Sequence, residues 1–166
     1  IGSSVESGKK VAIVVGGGSP AREAIDLARP LIKDTSHLDM IGIAATRLNA
    51  TIVKESLSAG RIRVSAKIPK TVEEALLELV ENDVVVMGGT LPGHTTDAVA
   101  IRLAIRCGAE KCIIATNVSK VFSTDPRINP RAESFDSLTL SQLQEIVGPP
   151  EHAKAGSSQV VDPVGV

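Results

Sequence analysis

Apolar residues in this chain follow two alternating patterns: short uninterrupted runs, and longer stretches where they recur every three or four positions. Val11-Ala-Ile-Val-Val15 is a run of mostly β-branched residues without a polar position, the pattern of a strand covered on both faces. Gly16-Gly17-Gly18 ends it. Ser19 and Pro20 then have the chemistry of a helix N-cap and a first-turn proline. Ala24, Leu27, Ala28 and Leu31 fall at i, i+3, i+4 and i+7, which predicts a helix over 21–33 that Pro30 kinks or shortens. Met40 to Leu57, rich in Ala, Leu and Ile, predicts a second helix. Arg61 to Lys67 alternates and predicts a strand. Thr71 to Val80 predicts a short helix, capped by Thr71 with Glu74 three residues on. Val84-Val-Val-Met87 is another buried strand, ended by Gly88-Gly89. Asp97 to Cys107 predicts a helix that Gly108 closes, and Cys112-Ile-Ile-Ala115 a third buried strand. Residues 118–137, with Pro126 and Pro130, read as loop, and Leu138 to Val147 as a last short helix.

Buried strands alternating with helices define an α/β domain with a mostly parallel sheet. No internal repeat at solenoid spacing interrupts this order. A chain of 166 residues, 43% apolar, buries a real core and reads as one domain over 1–166. The longest apolar run is about five residues against the ~20 a membrane span needs, which excludes a membrane role. Eighteen basic and 19 acidic residues leave a net charge of −1, no field for nucleic acid. Phe122 and Phe135 are the only aromatic residues, so the stacking platforms of single-strand binders are missing. Cys107 and Cys112 read as buried, reduced thiols. With no basic segment leading into an apolar one at the start, they point to the cytoplasm. The three His and two Cys have no metal-ligand spacing, so no protein metal site is expected.

The candidate chemistry lies where strands end in glycine. In open parallel sheets ligands bind outside the carboxyl ends of the strands. Glycine lets a phosphate approach the backbone, and the helix N-terminus that follows adds N–H donors. Two such turns, 16–18 and 88–89, suit two anionic groups. No G-x-x-x-x-G-K-[ST] string exists, which excludes a Walker loop. Gly16-x-Gly18-x-x-Ala21 approaches the dinucleotide fingerprint, but the apolar run Met40-Ile-Gly-Ile follows Asp39 instead of preceding it. Gly88-Gly-Thr-Leu-Pro-Gly-His-Thr-Thr-Asp97 gathers three hydroxyls, a histidine and glycine N–H groups into one loop, donors suited to a phosphate or a nucleobase edge.

The strings Gly16-Gly-Gly-Ser-Pro-Ala-Arg22, Gly88-Gly-Thr-Leu-Pro-Gly-His-Thr-Thr-Asp-Ala-Val-Ala100, Ala115-Thr-Asn-Val-Ser-Lys-Val-Phe-Ser-Thr-Asp-Pro126 and Lys154-Ala-Gly-Ser-Ser158 occur in this order. In them the chain resembles the archaeal-type uridylate (UMP) kinases of the amino-acid kinase superfamily, over roughly 11–163. The resemblance implies a three-layer α/β/α sandwich of the carbamate kinase-like type. It implies transfer of the γ-phosphoryl group of ATP to UMP with Mg²⁺, and a homo-oligomer, a hexamer; the helix Met40 to Leu57, apolar over much of its surface, reads as a candidate interface or equally as core. For UMP it implies Gly17, Asp39 and the loop Thr90, Leu91, Pro92, Gly93, His94, Thr95 and Thr96. For ATP it implies Gly18, Arg22, Thr116, Asn117, Phe122 and Asp125. Asp97 and Lys154 are the implied catalytic residues. The acceptor is already anionic, so no general base is needed, and His94 reads as a hydrogen-bonding loop residue.

The chain departs from the family in three places. Ser119-Lys120 stands where Asp-Gly is usual. The family starts with a glycine-turn strand; residues 1–10 read as the end of the first helix without that strand, or alternatively as its remnant, Ile1-Gly-Ser-Ser4. The closing elements beyond Val166 are also missing from this reading. Two alternative functions follow: a non-catalytic nucleotide-binding or regulatory protein, or a kinase of the same superfamily with another acceptor.

Overall fold

The computed structural model describes residues 1–60, 62–116, 120–124, 126 and 128–147. The elements are α1 (Gly2–Glu6), β1 (Val11–Val14), α2 (Gly18–Ala28), α3 (Thr35–Ala59), α4 (Val72–Glu81), β2 (Val84–Met87), α5 (Thr96–Cys107), β3 (Val121–Phe122), β4 (Ser134–Phe135) and α6 (Leu140–Val147). The chain is α/β, as its pattern predicts.

β2 is the centre of the sheet. It pairs in parallel with β1, Val11 opposite Val84 through Val14 opposite Met87. On its other side Val64 makes a single parallel bridge to Val84. All four β2 side chains are buried, and their alternation builds two cores. Val85 and Met87 point to one face, against Val72 and Ala75 of α4 and Val99 and Leu103 of α5. Val84 and Val86 point to the other, against Ala50, Val53 and Leu57 of α3. Helices therefore cover both faces of the sheet, giving three layers. Ile25 of α2 packs on Leu38 of α3 in a separate cluster.

Side-chain caps fix the helix ends. Asp34 accepts from the Ser36 nitrogen at 2.7 Å to start α3, and this bond holds the Asp34 carboxyl below its ordinary pKa. Thr71 accepts from Glu74 N to start α4, while Glu74 reaches back to Lys70 N. Thr139 and Gln142 exchange bonds in the same way before α6. Gly108 ends α5 at φ +62°.

Several sequence expectations are corrected here. α2 starts three residues early, at Gly18, and Pro30 stops it at Ala28. α3 begins five residues before Met40. The strand expected over Arg61–Lys67 shrinks to the Val64 bridge among the described residues. Cys112–Ala115 forms no strand, and Ile113 is 76% exposed. Apolar composition makes a strand only where the hydrogen bonds to a neighbour form, and this run is paired with neither β1 nor β2. Both cysteines are exposed, not buried. β1 is only half enclosed, with Ala12 exposed, because it pairs on one side. Within the stretch read as loop, β3 and β4 form a small antiparallel ribbon, Val121 opposite Phe135. Residues 2–6 are helical, as the first of the two readings of the start expects.

Candidate functional site

β1 and β2 run in parallel, so both glycine turns emerge at the same, carboxyl edge of the sheet. A Cβ on Gly16 would lie 3.5 Å from Thr96 Oγ1, which places the first turn beside the end of the second loop. The two strings that stand 70 residues apart in sequence thus form one site.

The first turn enters α2 directly. Gly17 is its N-cap, and Gly18 has φ +59°, a left-handed value that glycine adopts without strain. A Cβ on Gly17 would collide with the Ala21 Cβ. Ala21 N donates to Gly17 O, while Pro20 has no N–H. The N–H groups of Gly18 and Ser19 therefore stand at the helix start, on exposed residues, suited to an anion. Arg22 follows one turn on and is exposed.

The second turn is pressed onto α3. Gly88 and Gly89 are buried, and a Cβ on Gly88 would meet Thr46 Oγ1 at 2.6 Å and Arg47 N at 2.9 Å. Gly89 N donates to Thr46 Oγ1 at 2.7 Å, and that hydroxyl donates on to Ile43 O at 2.7 Å. The loop then turns at Leu91–His94, where His94 N donates to Leu91 O and Gly93 has φ +79°. Gly93 N donates to Asp39 Oδ2 at 2.8 Å. Thr95 caps α5 through Ala98 N, and Thr96 and Asp97 open that helix. His94 is half-buried, like Thr90, Pro92, Gly93, Thr95, Thr96 and Asp97, whereas Leu91 is 58% exposed.

The structure thus brings together Gly17, Gly18, Arg22, Asp39, the loop 90–96 and Asp97. Thr116 is exposed after α5, and Phe122 is half-buried on β3. Asn117, Asp125 and Lys154 lie outside the described residues.

Three polar residues of α3 were not singled out by the sequence. Thr46 holds Gly89. Asn49 Nδ2 donates to Gly16 O at 2.9 Å and to Gly17 O at 3.0 Å. Arg47 Nε is buried without a hydrogen-bond partner among the described residues, a state that suits a basic group next to an anion site. Their signal was available: Thr46-Arg47-Leu48-Asn49 puts three polar residues directly after the apolar run Met40 to Ala45.

Among the described residues no group of three His, Cys, Asp or Glu could hold a metal ion by itself. A magnesium ion carried in on nucleotide phosphates asks for one or two protein carboxylates at most; the carboxylate beside the second loop is Asp97, in the first turn of α5. Among the same residues no helix is long and apolar enough to cross a membrane.

Comparison with known proteins agrees with this geometry. The sequence model of the Amino acid kinase family matches residues 1–164. The uridylate kinase of Natronomonas pharaonis is 45% identical over 162 residues, covering 98% of this chain and 70% of that protein. That of Methanocaldococcus jannaschii is 45% identical over 157 residues, covering 95% and 68%. The crystal structure of uridylate kinase from Archaeoglobus fulgidus superposes with a TM-score of 0.83 at 42% identity, over 98% of this chain and 72% of that one. The UMP kinase structure from Bacillus anthracis gives 0.73 at 25% identity, over 98% and 67%.

Proposed function

The chain belongs to the amino acid kinase family, among its uridylate kinases, and on that premise we propose that it transfers the γ-phosphoryl group of ATP to UMP, giving ADP and UDP. The observation that carries this reading is the meeting of two glycine turns at one sheet edge, joined to a loop of hydroxyl and amide donors.

The acceptor oxygen belongs to a phosphate already ionised at neutral pH, so the protein needs no general base. Its work is placement and neutralisation of charge. The loop 90–96 holds UMP, with Asp39 fixing the Gly93 amide and facing the ribose. Gly17 lies between the two nucleotides. Gly18, Ser19 and the positive end of α2 take the ATP phosphates, assisted by Arg22. Thr116, Asn117, Phe122 and Asp125 are assigned to the ATP base and ribose by resemblance to the family. Asp97 and Lys154 are assigned to the reacting phosphates in the same way. Magnesium, when bound with ATP, shields the phosphate charge.

We assign the chain to a homo-oligomer, hexameric by family resemblance, working in the cytoplasm. The interface falls on α3, where Met40, Leu48 and Ile52, eight and then four residues apart, are 49%, 61% and 59% exposed. Calorimetric titration tests the site reading. UMP and a non-hydrolysable ATP analogue should each bind a folded sample with one-to-one stoichiometry, and binding of neither would refute it.

A further inference from the structure

The two glycine turns belong to different strands, yet both hang from one helix. Thr46 and Asn49 are three residues apart on α3, which places them on one face with a rise of about 4.5 Å between them. Thr46 Oγ1 accepts from the Gly89 amide at 2.7 Å and donates its own O–H to Ile43 O, so its hydroxyl is fixed at both ends. Asn49 takes two successive carbonyls of the other turn, Gly16 O and Gly17 O. Binding both carbonyls orients those two peptide units, and with them the N–H of the residue after each. α3 is itself anchored in the core by Ala50, fully buried against Val84 and Val86.

We propose that Thr46 and Asn49 are positioning residues that set the distance between the donor-side and acceptor-side turns, making α3 the ruler for phosphoryl transfer. The inference rests on the function proposed above. Neither side chain is assigned to a nucleotide. Their effect is carried by the turns they hold, and a displacement of about 1 Å between reacting groups is enough to slow a transfer step a hundredfold.

The test uses Thr46→Val, which keeps the volume and removes both hydrogen bonds, Thr46→Ser, which keeps them, and Asn49→Ala. Turnover of UMP and ATP, both KM values, the melting temperature and amide exchange are followed in each. Positioning predicts a kcat lowered tenfold to a hundredfold in Thr46→Val and Asn49→Ala, with each KM within about threefold of wild type. Thr46→Ser should restore most of the rate. The double variant should lose little beyond either single one, because a transfer geometry already broken has little more to lose. Unchanged kcat in folded variants, or losses that simply add, would overturn the proposal. Amide exchange separates this idea from the reading beneath it. Thr46→Val should speed exchange at Gly17 and Gly18 across the site, and Asn49→Ala at Gly89, whether or not the chain turns over UMP. If the wild-type chain is inactive but the cross-effect is present, the function fails and the coupling stands. If exchange changes only at the turn next to each substitution, the coupling fails.

Discussion

A Cβ on Gly88 would sit 2.6 Å from Thr46 Oγ1, a hydroxyl already held by two hydrogen bonds, and 2.9 Å from the α3 backbone at Arg47 N. Gly88→Ala should therefore cost about 1–3 kcal/mol of overpacking, read by urea unfolding. Gly93→Ala is a different case. Its Cβ would meet nothing within 4 Å, but the backbone φ of +79° is left-handed. The expected cost is about 1 kcal/mol of backbone strain. Asp39 offers the functional counterpart. Removing its carboxylate leaves the Gly93 amide without its 2.8 Å acceptor. Asp39→Ala should raise the KM for UMP about tenfold, the worth of one charge-assisted hydrogen bond. Asp39→Asn, which keeps an oxygen, should fall between, and steady-state kinetics checks both. Asp39 came only with the family resemblance, but the glycine turns and the loop 90–96 were legible in the residues themselves because their chemistry is local: glycine for close approach, hydroxyls and amides for an anion. Thr46 and Asn49 were not, because what they do depends on two loops that the chain brings to them from elsewhere.

Among the elements, helices were read better than strands. Caps and periodicity are properties of consecutive residues, so α4, α5 and α6 lie within two residues of expectation. Strands depend on a neighbour. The Cys112–Ala115 run has strand composition but no pairing, and the β3–β4 ribbon has pairing behind a composition that reads as loop. The segment around Val64 is held less by its bridge than by its side chains. Ser65 is buried and donates to Glu78 Oε2 at 2.7 Å, and Lys67 pairs with Glu78 at 3.2 Å. The Ser65 hydrogen bond first, and Lys67 second, hold the Glu78 carboxyl below its ordinary pKa. A carboxyl with a lowered folded pKa contributes stability above its unfolded value and loses it as pH falls through the folded one. Glu78→Gln should thus lower the melting temperature at neutral pH by a few degrees, and the two curves should converge in acid. Melting curves across pH 7 to pH 3 read this directly; parallel curves would remove Glu78 from the account.

For the whole molecule, the three layers came with the family resemblance, but the α/β class was visible in the alternation of apolar runs and helices, because β2 has to be covered on both faces. The common site was not, since nothing in the chain states that residues 16 and 96 lie side by side; parallel pairing of β1 and β2 does that. The exposed stripe Met40, Leu48 and Ile52 on α3 belongs to this scale as well. If it is an interface between copies, Leu48→Glu should shift light-scattering mass toward smaller species, with the fold retained by circular dichroism. The central claim is phosphoryl transfer to UMP, and a coupled ADP-release assay with ATP, Mg²⁺ and each of UMP, CMP and AMP tests it most directly. The account predicts turnover that depends on UMP, with the other two at least tenfold weaker. Turnover with another acceptor while UMP is inert, or none at all from a folded sample that binds neither nucleotide, would contradict it.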